Sequence, residues 1–213
     1  MVNLVSGDGP NAGAPLTKHA DVPVISFTGS CATGRRIAEA CAPEFKHYSL
    51  EMGGKNIILV MDDANLELAV DGAIWGGFGT TGQRCTAASR VAVHKAVYKE
   101  FVERFVERAQ ALKAGDGLDS GTEMGPCINE RQLKKVMEYV AIGKNEGAKL
   151  LTGGKRLEGG AYAKGWFHEA TIFGECSPQM RIAQDEIVGP VVSVMAIGSL
   201  EEALEVANGV VYG

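Results

Sequence analysis

One cysteine in this sequence stands among residues suited to chemistry. Cys85, in the stretch GFGTTGQRCTAASR (77–90), follows a glycine-containing turn and precedes the small residues Thr86, Ala87 and Ala88. A thiol becomes a nucleophile when a helix N-terminus or a neighbouring cation lowers its pKa, and Arg84 is adjacent. The plain alternative is packing, because a free cysteine is among the most buried residue types and is ordinarily inert. Glu51, in LEMGGKN (50–56), closes an apolar strand before the pair Gly53-Gly54. A buried carboxylate there costs free energy unless paired or used, and burial raises its pKa toward the range of a general base. A strand-end glutamate that simply reaches water fits the same residues. In FTGSCATG (27–34) a strand runs through Gly29 and Ser30 into a helix, whose bare first amides suit a phosphate. The spacing is neither GxGxxG nor GxxxxGK[ST], and an ordinary β–α turn reads the same way. Cys31, Cys41, Cys127 and Cys176 lack comparable surroundings and are read as packing residues.

The elements that must position these residues follow from the patterning. VPVISFTG (22–29) predicts a strand, SCATGRRIAEACAPEF a helix up to Pro43, and KHYSLEM and NIILVM two further strands. DDANLELAVDGAIWGGF predicts a helix starting near Asp62 and Asp63. In VYKEFVERFVERAQAL, residues Val97, Phe101, Val102, Phe105, Val106, Ala109 and Leu112 form one apolar stripe. A helix in INERQLKKVMEYVAIGKNEG, a strand in AKLLTGG, a strand in PVVSVMAIG and a Ser-capped helix in SLEEALEVANG complete the pattern. TGGKRLEGGAYAKGW reads as an exposed loop. Strands alternating with helices predict an α/β protein with a largely parallel sheet.

Composition excludes several classes. The 213 residues, 46% of them apolar, suffice for a substantial core and exclude a disordered chain. A net charge of −5 with interspersed signs gives no footprint for nucleic acid. No apolar run reaches the length of a membrane span, and the start has no signal-peptide pattern. Five scattered cysteines without a CxxC pair suggest neither a disulfide framework nor a metal site, and so a reducing cytoplasm. ANGVVYG ends the sequence on the approach to another element, which suggests a part of a larger protein.

Four blocks, SFTGS, LEMGGKN, GTTGQRCTA and QDEIVGP, occur in an order and at relative spacings that resemble the aldehyde dehydrogenase superfamily. The resemblance runs along essentially the whole chain, from NLVSGDG to ANGVVYG. It implies an α/β fold in which residues 1–50 are the tail of a Rossmann-like dinucleotide-binding domain and 51–213 most of a parallel-sheet catalytic domain. It implies NAD or NADP as cofactor, an aldehyde as substrate and a homo-oligomer, dimer or tetramer. Cys85 matches the nucleophile that forms a thiohemiacetal and then a thioester, with its own N–H as one oxyanion donor. Glu51 matches the base that activates water for thioester hydrolysis, so the product is a carboxylate. Gly29 and Ser30 match residues along the cofactor pyrophosphate, and Glu186 one that holds the nicotinamide ribose. No metal is implied.

Two departures stand out. Val188 occupies a position commonly aromatic in the family, and Cys31 one where a small hydroxyl residue is usual. The resemblance also implies subunits more than twice this length. Among the segments outside the match are an asparagine of the oxyanion hole and a lysine that binds the adenosine ribose. The expectation is therefore weak or absent NAD+ binding by the chain alone, and the alternative function is a truncated, non-catalytic subunit or interaction module.

Overall fold

β-Branched and aromatic residues favour extended backbone, and Val24, Ile25 and Phe27 form the first strand, β1 (Val24–Thr28). The computed structural model describes residues 1–212. The chain divides into two compact units, Met1–Gly53 and Gly54–Gly213. In the first unit a capped turn at Gly9–Gly13 leads into the short helix α1 (Ala14–Lys18). After β1 come helix α2 (Cys31–Cys41) and strand β2 (His47–Glu51). β1 and β2 pair in parallel, with Thr28 opposite Glu51. Ser30 starts α2 with extended backbone, its Oγ accepting the Thr33 N–H at 3.3 Å. Gly34, Ile37 and Cys41, on one stripe of α2, are buried. A Cβ on Gly34 would lie 2.7 Å from Met52 Sδ, so this glycine lets the helix pack closely beside the end of β2. The buried Lys46 side chain donates to the carbonyls of Thr17 (2.8 Å) and His19 (2.6 Å), tying β2 to the end of α1.

The second unit is a five-stranded sheet in the order β3-β4-β7-β6-β5. Its strands are β3 (Asn56–Val60), β4 (Ala88–His94), β5 (Lys149–Thr152), β6 (Thr171–Gly174) and β7 (Val191–Ile197). All adjacent pairs are parallel except β5 with β6. One face packs against α3 (Leu66–Phe78) and α4 (Tyr98–Ala111), where Val91, Val93, Val192 and Val194 meet Val70, Phe78, Phe101 and Phe105. The Phe78 and Phe105 rings stack with centroids 5.9 Å apart. The other face packs against α5 (Glu130–Asn145), α6 (Arg181–Gln184) and α7 (Leu200–Asn208), burying Leu133, Val136, Ile182, Met195, Ile197 and Val206. The alternation of successive strand residues between faces builds these two cores. No helix among the described residues is long and apolar enough to cross a membrane.

The predicted strands and main helices are present, and two buried strands add to them. β4 and β6 were not expected from the pattern. β4 carries Arg90 at its centre, a residue that argues against a core strand, yet Arg90 is 1% exposed. Its Nε donates to Lys55 O at 2.9 Å, Nη1 to Val206 O at 2.8 Å and Nη2 to Ala207 O at 3.1 Å. The guanidinium fork thus satisfies carbonyls at the start of β3 and the end of α7, which makes its burial tolerable. The helix expected at Asp62 and Asp63 begins later. Asn65 is its cap, its Oδ1 accepting the N–H groups of Glu67 and Leu68.

Candidate active site

The approach to Cys85 is a strained turn. After α3, Thr80 (φ 54°), Thr81 (φ 61°) and Gly82 (φ 64°) are all left-handed. That region is unfavourable for β-branched threonine and free of penalty only for glycine. Thr81, 2% exposed, is held by a hydrogen bond from its Oγ1 to Gly125 O at 3.0 Å. A Cβ on Gly82 would stand 2.4 Å from Gly189 O and 2.8 Å from Gly77 O, both rigid backbone. Gly82→Ala is expected to lower stability by on the order of 3 kcal/mol, measured as a fall in the urea midpoint. A midpoint equal to wild type would mean the turn relaxes freely.

Cys85 then sits in a turn closed by Ala87 N–H to Arg84 O at 3.1 Å. It is the one exposed cysteine of the five: Cys41, Cys127 and Cys176 are buried and Cys31 is half-buried. Burial pushes the Cys127 thiol up to about 11 and the Cys176 thiol up to about 12, which makes both poor nucleophiles near neutrality. One support expected for Cys85, a helix N-terminus, is absent. No helix starts there, because the chain enters β4. Arg84 is engaged by α3, its Nη2 donating to Trp75 O at 3.3 Å and its guanidinium lying 5.0 Å from the Trp75 ring centroid.

Neighbouring strands bring other groups to this turn. Asn56, the first residue of β3, donates from Nδ2 to Cys85 O at 2.6 Å and to Ala87 O at 3.1 Å. Gly54, two residues earlier, donates its N–H to Glu186 Oε1 at 3.3 Å. Gly54 and Asn56 precede or open β3, Cys85 precedes β4 and Glu186 precedes β7, so all converge at the amino ends of three adjacent parallel strands. Val188 has φ 58°, costly for a β-branched residue, and is held by Gln132 Nε2, which donates to Ile187 O (2.8 Å) and Val188 O (2.7 Å). Asn56 and Gln132 were missed as site residues because an amide at a strand start or on a helix has no catalytic signature. The glycine pair before Asn56 was the one available signal.

Lys55 lies between these groups, 2% exposed, with Nζ lacking a hydrogen-bond partner. Burial, reinforced by Arg90, brings its pKa down from 10.5 to about 7, against the opposing pull of Asp185 and Glu186. Below about 7 the folded and unfolded chains both carry the proton and the penalty is complete; from about 7 to 10.5 only the unfolded chain holds it. Stability therefore gains about 1.4 kcal/mol per pH unit from this group across that window. Lys55→Met is expected to be more stable than wild type at pH 7, with the difference shrinking as pH rises toward 10. Urea unfolding of both proteins at several pH values checks this, and a pH-independent difference would refute it.

The remaining expected residues lie in the first unit, at the carboxyl ends of β1 and β2. Gly29 donates its N–H to Glu51 O at 3.0 Å, so that amide is occupied by the sheet. A Cβ on Gly29 would stand 2.4 Å from Cζ of Phe27, so this glycine makes room for a ring of its own strand. The donors left for an anion are the first amides of the eleven-residue helix α2 behind Ser30. Glu51 is exposed, so of the two readings of this strand end the one that reaches water holds, and His47, Tyr48 and Ser49 of β2 are exposed with it. Among the described residues no group of three or more His, Cys, Asp or Glu could hold a metal ion.

Comparison with known proteins identifies the family. The aldehyde dehydrogenase family model matches residues 1–213. The chain is 43% identical over its whole length to α-ketoglutaric semialdehyde dehydrogenase of Bacillus subtilis, and 45% identical to betaine aldehyde dehydrogenase of the same organism. It spans 44% of the length of each of these relatives. Among solved structures, betaine aldehyde dehydrogenase of Staphylococcus aureus in complex with NAD+ superposes with a TM-score of 0.94 at 39% identity, over 97% of this chain and 41% of that one. With the family matched from the first residue to the last, this chain belongs to the aldehyde dehydrogenase family.

Proposed function

We propose that this chain carries the nucleophile and part of the cofactor site of an NAD(P)+-dependent dehydrogenase that oxidises an aldehyde to a carboxylate. The observation that carries the reading is Cys85, the one exposed thiol, held on a turn at the amino ends of β3, β4 and β7. Its thiolate attacks the aldehyde carbon, forming a C–S bond while the carbonyl oxygen becomes an oxyanion that the Cys85 N–H stabilises. The nicotinamide cofactor, when bound, supplies the acceptor for the hydride that leaves this carbon. Glu51 takes a proton from the water that attacks the resulting thioester, and cleavage of the C–S bond releases the carboxylate and restores the thiol.

The residues present fit such a cofactor in part. The amides that open α2 behind Ser30 suit a pyrophosphate, with Gly29 completing the turn. Glu186 uses Oε1 on Gly54 N–H, leaving Oε2 to accept from ribose hydroxyls. NAD+ in the Staphylococcus aureus structure supports this choice of cofactor. The two Bacillus subtilis relatives are named for betaine aldehyde and α-ketoglutaric semialdehyde, different aldehydes at nearly equal identity, so the proposed substrate class is an aldehyde and no narrower. A homo-oligomer in the cytoplasm belongs to the same proposal. The test is aldehyde-dependent NADH formation by wild type, Cys85→Ala and Glu51→Gln. Turnover lost in the first variant, and limited to a single round in the second, supports the reading; steady-state turnover by Cys85→Ala overturns it.

A further inference from the structure

The geometry points to Asn56 as a positioning residue for the nucleophile, a role that rests on the reading of Cys85 given above. Its side-chain amide spans the turn, Nδ2 donating to Cys85 O at 2.6 Å and to Ala87 O at 3.1 Å. The first bond holds the peptide plane that follows Cys85, which sets ψ of that residue and so the direction in which its Cα–Cβ bond points. The second holds the residue that enters β4. Together they fasten an exposed two-residue excursion to the edge of the sheet at both ends, where the turn's own bond, Ala87 N–H to Arg84 O, closes it only on itself.

Gly54 shows how closely this clamp is built. A Cβ at Gly54 would stand 3.2 Å from Asn56 Oδ1 and 3.3 Å from Cys85 O, so the backbone lies directly against the amide and the carbonyl it holds. The Gly54 N–H meanwhile bonds Glu186 Oε1. The three residues from Gly54 to Asn56 therefore contact both Glu186 and the Cys85 turn. The hydrogen bonds of Asn56 go to the backbone carbonyls of Cys85 and Ala87, so it acts through the backbone of Cys85. A nucleophile misplaced by about 1 Å loses up to about a hundredfold in rate, whereas binding of the aldehyde does not depend on the aim of the sulfur.

The test compares wild type with Asn56→Ala, Asn56→Asp and Asn56→Ser, using propionaldehyde and NAD+ for turnover. Amide hydrogen exchange of residues 83–88 reads the turn itself. Asn56→Ala is expected to lower kcat by about ten- to a hundredfold with KM for the aldehyde within about twofold. Exchange at the Ala87 amide is expected to quicken by about tenfold. Asn56→Asp, which sets carboxylate oxygens against two carbonyl oxygens, is expected to fall below Asn56→Ala. Asn56→Ser keeps one O–H donor, on a shorter side chain, for two carbonyls, and partial recovery of kcat and of slow exchange is expected. Native kcat in Asn56→Ala while Cys85→Ala is inactive overturns the inference and leaves the nucleophile reading intact. Full activity of Cys85→Ala overturns that reading instead and the inference with it. If the wild-type chain shows no turnover, unchanged exchange at Ala87 in Asn56→Ala overturns the clamp, and accelerated exchange partly restored by Asn56→Ser supports it.

Discussion

Cys85→Ala is expected to abolish aldehyde oxidation, with kcat reduced on the order of 10⁵-fold or more, because without a thiolate no covalent intermediate forms. The three buried cysteines cannot substitute. Cys41, Cys127 and Cys176 are buried, and burial holds the Cys127 and Cys176 thiols well above their ordinary range. The fold is expected to survive the change, since the turn is held through backbone carbonyls of Cys85 and Ala87 rather than through the sulfur. Aldehyde-dependent NADH formation alongside a thermal unfolding midpoint separates lost chemistry from lost structure. An unfolded variant would point to a packing role instead, although an exposed side chain gives little reason to expect one.

Glu51→Gln is expected to lower steady-state turnover by about 10² to 10⁴-fold while leaving the first turnover in place. A glutamine cannot accept the proton of the attacking water, but it does not prevent the thiolate attack or the loss of hydride from the same carbon. The signature is one equivalent of NADH per active site followed by near silence, with the acyl group retained on Cys85 as an added mass. Hydroxylamine, which needs no general base to attack a thioester, is expected to release it. The strand pair is not disturbed, because Glu51 contributes its backbone carbonyl to Gly29 and its side chain is exposed. Steady-state activity equal to wild type removes Glu51 from the base role.

Much of the architecture was legible because it rests on periodicity. The stripe from Phe101 to Ala109, the Ser199 cap and the valine run of β7 are local patterns, and each element formed where its pattern lay. β4 was not legible. A buried arginine is unfavourable until three carbonyls from distant parts of the chain surround it, and Lys55, Val206 and Ala207 supply them only in the folded state. The exposure of Glu51 was left open by the sequence, since a strand end reads the same whether its last side chain is buried or reaches water.

The sequence by itself determined the family and most of the order of strands and helices, and it singled out Cys85 among five thiols as the proposed nucleophile, because motif order, spacing and side-chain period are properties of the chain alone. Tertiary structure decided what holds that thiol. Asn56 is 29 residues from Cys85 and Glu186 is 132 from Gly54, yet each pair is hydrogen-bonded. Hydrogen bonds depend on distance and angle in space, and it is the pairing of β3 with β4 and of β4 with β7 that brings those atoms within reach.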